Sequence, residues 1–316
     1  MKVYYSLDEI PHIKSAVVSL GTFDGVHTGH QKVISLLRKS ADEINGETVI
    51  FTFHPHPRIV LYPDDHGLNL IQSIDERIKK LASFGIDHLV LFPFTREFSR
   101  LSASDFVKEI LVKKLKTEIL AIGYNHHFGR NREGDIHLLK TMSAVHNFKV
   151  LEIPAFSEGE IKISSTKIRE AIAEGNLSIA ANYLGNYFQF ECEVVHGDQI
   201  GRTLGYPTAN LVPTHQHQLL PKKGVYAVGA IINGVHFQGM MNVGSRPTLS
   251  ESDELRMEVN LFDFDQDIYG EKLMLVAYEW IRDEQHFNSL NDLQEELKHD
   301  KIECLAVLDG LNVGKL

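Results

Sequence analysis

The residues of this chain best suited to catalysis or ligand binding are two histidines of a glycine-rich segment, Gly21–His30 (GTFDGVHTGH). His27 and His30 are three residues apart, with Gly29 between them, so a helix would place them on one side of its first turn. An apolar run precedes the segment and a helical apolar pattern follows it. Helix N-termini attract phosphate, and imidazoles there can donate to phosphate oxygens. The pattern predicts a nucleotide-phosphate site; the alternative is a glycine-rich turn with incidental histidines.

A second polar segment can contribute to the same site. In Ile163–Arg169 (ISSTKIR), three hydroxyl side chains come before a helical pattern, and Arg169 lies one turn into it. Taken alone, these hydroxyls suit an ordinary helix N-cap. Together with the histidine pair, they predict hydroxyl donors and a guanidinium for phosphates. The loop Gly123–Asp135 contains His126 and His127, but adjacent histidines project differently and no carboxylate is suitably spaced, so zinc is not favoured.

The C-terminal half carries a separate set of oxygen-bearing side chains. Gly197–Leu211 is rich in glycine and can wrap a phosphate. Thr208 and Asn210 are two residues apart on an extended segment, so they face one way and offer oxygen ligands of the kind Mg²⁺ prefers. The same Pro-Thr-x-Asn pattern is also an ordinary strand start. In Arg256–Phe262 the alternation predicts a half-exposed strand, on which Glu258 is a candidate general base for a hydroxyl.

The N-terminal half, which carries the two histidines, shows alternating strand and helix patterns. This alternation predicts an α/β, Rossmann-like domain with a parallel sheet, whose ligands bind beyond the carboxyl ends of the strands. The predicted strands are Val17–Leu20, Thr48–Phe53, His88–Phe92, Ile119–Ile122 and Val150–Ile153. The predicted helices are His30–Ile44, Asp75–Phe84, Ala103–Lys113, Asp135–Val145, Ser165–Ala173 and Leu177–Leu184.

The pattern changes near residue 185, where short strands with glycine and proline turns begin. Spacing of this kind predicts a mainly antiparallel β-barrel, and Asn233-Gly234 is a type I′ hairpin signal. A C-terminal helix is expected at Leu290–Lys298. The predicted strands are Phe188–Val195, Thr208–Leu211, Gly224–Ile232, Val235–Asn242, Arg256–Phe264 and Lys272–Tyr278. We therefore expect two domains, residues 1–185 and 186–316.

Length and composition limit the class of protein. A chain of 316 residues exceeds one ordinary core, in agreement with two domains. The formal net charge is −10 without a basic run, so extended nucleic-acid binding is not expected. Only two cysteines, no signal-peptide pattern and no apolar stretch of about 18 residues predict a cytoplasmic protein without a membrane partner. The oligomeric state does not follow from the sequence.

In combination, the motifs resemble the bacterial bifunctional riboflavin kinase/FAD synthetase (FMN adenylyltransferase) family. The first half contains, in order, the family's G-x-F-D-G-V-H-x-G-H, F-x-P-H-P, F-G-x-x-R-x-G-D and S-S-T-x-I-R. The second half contains its G-R-x-L-G-x-P-T-A-N-L, P-x-x-G-V-Y and N-x-G-x-R-P-T, and an E-x-[HN] strand that leads to D-x-Y-G. The resemblance covers residues from about 15 to 305. It implies a nucleotidyltransferase domain followed by a riboflavin kinase barrel.

The resemblance implies that ATP phosphorylates riboflavin to FMN in the barrel, and that a second ATP adenylylates FMN to FAD with release of pyrophosphate. The catalytic residues that it implies are Glu258, His27, His30 and Arg169, and the implied Mg²⁺ ligands are Thr208 and Asn210. The implied ATP- and flavin-binding residues are Gly21, Phe23, Asp24, Gly29, Asn125, Ser164, Ser165, Gly201, Thr203, Asn242 and Arg282. Asp24 suits a structural role in the turn equally well.

Two other functions remain open on sequence alone. One is a nucleotidyltransferase for a different phosphorylated metabolite, with a barrel that only binds. The other is a non-catalytic flavin sensor that retains both pockets. The presence of the residues needed for chemistry in both halves argues against the sensor.

Overall fold

The computed structural model describes residues 1–63, 68–123, 126–154, 157–158, 161–197, 201, 204–245 and 255–311. The predicted ligand contacts of Asn125 and Thr203 therefore lie outside the described residues. The chain divides into two compact units, one of residues 1–68 and 74–164, the other of residues 69–73 and 165–316.

A parallel sheet of six strands forms the centre of the first unit. Its strands are β1 (Lys2–Tyr4), β2 (Ala16–Leu20), β3 (Thr48–His54), β4 (His88–Pro93), β5 (Thr117–Gly123) and β6 (Lys149–Ile153), in the order β1-β4-β3-β2-β5-β6. The five predicted strands are confirmed. The sequence analysis missed β1, because three residues are too few to show an alternation. The chain leaves β2 toward β3 on one side and returns as β5 on the other, so the carboxyl end of β2 is a switch point where ligands bind.

Helices cover both faces of this sheet. They are α1 (Thr28–Glu43), α2 (Pro57–Leu61), α3 (Ile74–Ser83), α4 (Ala103–Asp105) with a π-helix directly after it (Phe106–Lys114), and α5 (Ile136–His146). Val18 and Val49 belong to one buried cluster with the π-helix and α5, whereas Val17 and Ile50 belong to another with α1 and α3. This alternation along the strands confirms the predicted layering. Two short strands, β7 (Ser157–Glu158) and β8 (Ile161–Lys162), form a separate antiparallel pair.

The second unit contains a closed antiparallel barrel. Its elements are α6 (Ser165–Ala173), α7 (Leu177–Leu184), β9 (Phe188–Val195), β10 (Ala209–Pro213), β11 (Gly224–Ile232), β12 (Val235–Ser245), β13 (Leu255–Leu261), β14 (Lys272–Arg282) and α8 (Leu290–Gly310). The strand order is β10-β13-β12-β11-β14-β9, closed by β9 with β10. Asn233 and Gly234 both have positive φ between β11 and β12, which confirms the hairpin.

The predicted end of the last helix at Lys298 is wrong, because α8 continues to Gly310. Asp300, Cys304 and Leu308 follow one another at intervals of four residues and are all fully buried. In the fold, the carboxylate of Asp300 pairs with an arginine of β14, and the buried face therefore continues.

The contacts group α6 and α7 with the barrel, whereas the predicted first domain extends to residue 185. The predicted boundary at residues 185/186 therefore stays a prediction. Within the described residues, no helix combines the length and the apolar character needed to cross a membrane.

Candidate active sites

The first candidate site is the turn between β2 and α1. The helix begins at Thr28, because the His27 ring caps it: Nδ1 accepts a hydrogen bond from the backbone N–H of His30 at 3.3 Å. The rings of His27 and His30 stack with centroids 3.7 Å apart, and the Phe23 ring lies 4.9 Å from that of His30. The predicted pair is thus brought together at a helix N-terminus.

Gly29 allows the backbone to pass close to these rings. A Cβ at this position would stand 3.1 Å from the His27 ring and 4.0 Å from the carbonyl oxygen of Ile163. The segment that leads into Ser164 therefore lies beside the histidine turn. Ser165 begins α6 in the second unit, where Arg169 Nε donates to the carbonyl oxygen of Asn69 at 2.8 Å.

Two basic residues of α3 contact the backbone of the same turn. Arg77 is 2% exposed, and its Nη1 donates to the carbonyl oxygen of Thr22 at 2.9 Å. Its Nη2 lies 3.6 Å from Oδ1 of the fully buried Asp24. Lys80 Nζ donates to the carbonyl oxygen of Gly25 at 3.1 Å. The buried pairing of Asp24 favours its structural role in the turn. The sequence analysis missed both basic residues, since lysine and arginine at i, i+3 are ordinary on a surface helix.

Burial and positive charge shift the protonation of this site. Burial first, and then the proximity of His27, Arg77 and Lys80, holds the pKa of His30 well below its ordinary value of 6.5. Burial and Arg77 also lower the pKa of His54. Burial lowers the pKa of Lys80 to about 8. At neutral pH, His30 is therefore neutral and Lys80 is mostly cationic, which suits an anionic ligand.

The second candidate site lies on neighbouring strands of the barrel. Asn210 on β10 and Asn242 on β12 both stand opposite Glu258 on β13 in the strand register. Thr208, just before β10, donates from Oγ1 to Glu258 Oε2 at 3.1 Å. Arg256 Nε donates to Asn210 Oδ1 at 2.7 Å and lies 2.9 Å from Glu258 Oε1. The structure thus joins the predicted hydroxyl, amide and carboxylate in one network.

A cavity of about 290 Å³ adjoins this network. Gly201, Asn242 and Arg282 of the predicted set line it together with Thr208 and Glu258. Its apolar wall is formed by Leu204, Tyr206, Met240, Phe287, Leu293 and Leu297. An apolar wall with a polar end suits an aromatic molecule that carries a reactive hydroxyl.

Arg282 also forms an ion pair with carboxylates of α8, which the sequence did not reveal. Its Nε and Nη2 each lie 2.7 Å from a carboxylate oxygen of Asp300, and Nε lies 3.2 Å from Glu296. This bidentate pair attaches α8 to the barrel beside the cavity. The contact of Arg282 with flavin stays a prediction. Arg256 was also missed, although its position two residues before Glu258 on an alternating strand puts both on one face.

Comparison with known proteins agrees with this geometry. A family model described as FAD synthetase matches residues 9–167, and a model described as riboflavin kinase matches residues 184–308. The chain belongs to the bifunctional riboflavin kinase/FMN adenylyltransferase family. It phosphorylates riboflavin to FMN and adenylylates FMN to FAD. The match to the riboflavin kinase model decides against a barrel that only binds.

Curated relatives carry the same description over nearly the whole chain. The bifunctional riboflavin kinase/FMN adenylyltransferase of Escherichia coli (strain K12) is 36% identical, with 94% of each chain covered. That of Buchnera aphidicola (subsp. Acyrthosiphon pisum, strain APS) is 35% identical, with 100% of each chain covered. A solved structure named as a macrolide-efflux protein from Streptococcus pneumoniae has a TM-score of 0.86 and 36% identity, covering 95% of this chain and 97% of that one.

Proposed function

We propose that the two reactions occur at the two sites described above and that each site uses its own residues. The network of Thr208, Asn210 and Glu258 beside the cavity supports riboflavin phosphorylation in the barrel. The stacked His27 and His30 at the N-terminus of α1 support FMN adenylylation in the first unit. The first of these observations carries the proposal, because it joins residues about 50 positions apart in one reactive group.

In the barrel, Glu258 accepts the proton of the ribityl hydroxyl as this oxygen attacks the γ-phosphorus of ATP. The Thr208 hydroxyl already donates to one carboxylate oxygen, which holds the carboxylate in place. Asn242 and Arg282 line the cavity that receives the flavin. FMN and ADP are the products.

The residues present also suit Mg²⁺. Thr208 and Asn210 offer a hydroxyl and an amide oxygen, the hard ligands that this ion prefers. The guanidinium of Arg256 lies against Asn210 Oδ1 and Glu258 Oε1, so these oxygens already accept a positively charged partner, which Mg²⁺ would have to replace at Asn210. Bound Mg²⁺ would neutralise charge on the ATP phosphates. Among the described residues there is no cluster of three or more His, Cys, Asp or Glu that could hold a metal ion.

In the first unit, the FMN phosphate attacks the α-phosphorus of ATP, and pyrophosphate leaves. The nucleophile is already an anion, so the step needs neither a base nor a covalent intermediate. His27 and His30 donate to the phosphate oxygens. Gly29 supports this assignment, since its missing side chain leaves room beside the rings. Binding of the triphosphate by Ser164, Ser165 and Arg169 stays a prediction from the resemblance, because Ser165 and Arg169 belong to the second unit.

Nucleotide binding tests the barrel assignment directly. We expect the Thr208→Ala variant to bind ADP more weakly than the parent protein in the presence of Mg²⁺, and equally well in its absence, by titration calorimetry. Thr214→Ala serves as control, because Thr214 is an exposed hydroxyl that bonds to Glu191 beyond β10. Equal Mg²⁺-dependent affinity in the parent and Thr208→Ala would remove Thr208 from the proposed ligands.

We also propose a cytoplasmic location without a nucleic-acid partner. The chain has only two cysteines, Cys192 and Cys304, and such sparing use of cysteine supports a reducing compartment. Cell fractionation with antibody detection tests the location.

A further inference from the structure

The turn that carries the two histidines is strained. Phe23, Gly25 and Val26 have φ values of 50°, 85° and 40°. Glycine adopts such values readily, but a bulky or β-branched residue rarely does. Phe23 and Val26 therefore adopt a sparsely populated backbone conformation, and such strain persists only where the surroundings fix the backbone.

Part of the restraint is apolar and local. Phe23 and Val26 are 2% and 0% exposed, and they pack in the cluster beneath α1. Within the turn, the N–H of Val26 donates to the carbonyl oxygen of Phe23, and the Gln31 side chain donates to the carbonyl oxygen of Val26 at 3.0 Å. These contacts leave the carbonyl groups of Thr22 and Gly25 to other partners.

Arg77 and Lys80, the basic pair, reach these two carbonyls from α3. Each donates to one of them, at 2.9 Å and 3.1 Å, on either side of Phe23. Hydrogen bonds from charged donors are roughly twice as strong as neutral ones. The spacing of three residues puts the pair on one side of α3, so a single helix restrains both ends of the strained segment.

The positive charge of the basic pair also acts on His30 electrostatically, which neutral donors would not do. Both cations lie close enough to His30 to lower its pKa, after the larger effect of burial. His30 Nδ1 is itself buried and has no hydrogen-bond partner among the described residues. An imidazole nitrogen without a partner, near two cations, matches an anionic ligand better than a packed core.

We propose that Arg77 and Lys80 are positioning residues for FAD synthesis. They hold the strained turn so that His27 and His30 meet the triphosphate, and they place positive charge near His30. This inference rests on the proposed assignment of His27 and His30.

Substitution of the basic pair tests the inference, with the kinase reaction of the same chain as internal reference. Arg77→Met removes the donors and retains an apolar stem. We expect it to lower kcat for FAD formation from added FMN by about 100-fold, the scale expected for a misplacement of about 1 Å. Riboflavin phosphorylation should not change. Arg77→Lys should recover part of the rate. Lys80→Met, at a half-buried position, should act in the same direction with less risk to folding.

Arg38→Met is the matched control. Arg38 on α1 is exposed and also donates to a backbone carbonyl, that of Phe84, which lies just beyond the C-terminal end of α3, at 3.1 Å. Its loss should leave both reactions unchanged. Hydrogen–deuterium exchange gives a readout besides activity: amides 22–27 should exchange faster in Arg77→Met and Lys80→Met, and at the parent rate in Arg38→Met.

Three results would overturn the inference: unchanged FAD formation in both basic-pair variants, unchanged exchange at amides 22–27, or loss of both reactions in both variants. His27→Ala, assayed in parallel, separates this inference from its premise. If His27→Ala still forms FAD, the assignment of the histidines fails. If His27→Ala is inactive while both basic-pair variants remain active, the positioning role alone fails.

Discussion

The two sites use the same co-substrate with opposite electrostatics. In the first unit, the neutral His30 and its stacked partner His27 lie near Arg77 and Lys80, and the protein itself supplies positive charge. In the barrel, a carboxylate, an amide and a hydroxyl provide oxygens that attract a cation. The nucleophiles explain the difference. The FMN phosphate is already an anion and needs charge stabilisation, whereas the riboflavin hydroxyl is neutral and needs a base.

Loss of the general base should have the largest effect, and it tests whether the barrel reaction depends on Glu258. We expect Glu258→Gln to slow FMN formation by about 10²–10⁴-fold, because the amide accepts no proton. FAD formation from added FMN should not change, as measured by chromatography of the flavins. Glu193→Gln, an exposed carboxylate on β9, is the control. If Glu258→Gln forms FMN at the parent rate, the barrel needs no general base.

The reciprocal change should separate the reactions in the other direction. We expect His27→Ala to slow FAD formation by about 10²–10³-fold through loss of a donor to the phosphates. Riboflavin should still be converted to FMN, which then accumulates in the assay. His137→Ala, an exposed histidine of α5, should leave both rates intact. Loss of both reactions in His27→Ala would show that the sites are not independent.

The ion pair between Arg282 and Asp300, which joins α8 to the barrel, is specific to the second unit and can be tested by its effect on stability. We expect Asp300→Ala to destabilise the second unit by about 3 kcal/mol, because it removes the fully buried carboxylate of the bidentate pair and leaves Arg282 with the ion pair to Glu296. Glu295→Ala breaks an exposed ion pair on the same helix and should cost no more than about 1 kcal/mol. Denaturant unfolding measures both. Equal destabilisation by the two variants would contradict the anchoring role of the Arg282–Asp300 pair.

Acid should affect the first unit before the barrel, as the smallest of these effects. Burial lowers the pKa of His30 and His54, and burial with nearby Arg132 lowers that of His126 to about 4. The unfolded chain binds these protons first, so stability falls as the pH drops below 6.5, and the loss is complete only below the folded pKa values. In the described part of the barrel, burial lowers the pKa of His236.

Activity measured after acid incubation tests this difference. Between pH 6.5 and about pH 4, FAD formation should be lost before FMN formation. The His126→Gln variant should lose FAD formation less steeply, because it removes one of the groups that must be protonated on unfolding. Simultaneous loss of both reactions in the parent protein would contradict the assignment of the acid sensitivity to the first unit.

Local pattern was sufficient for most of the fold. Apolar runs predicted the strands of the parallel sheet, and Asn233-Gly234 predicted the barrel hairpin, because both depend on residues close in sequence. The same reasoning failed at Lys298. The helix continues past Lys298 with a buried face on which Asp300 pairs with Arg282 of β14, and no local pattern reveals such a partner.

The sequence by itself determined the fold class, the two halves and the residues whose chemistry names the reactions, from His27 to Glu258. Their types and short spacings are local, and therefore readable. Only the tertiary structure showed which distant side chains form hydrogen bonds with these residues and with the turn that carries them. Arg77 reaches Thr22 across 55 positions, and Arg256 reaches Asn210 across 46. Such contacts depend on the packing of distant segments, which apolar periodicity does not encode residue by residue.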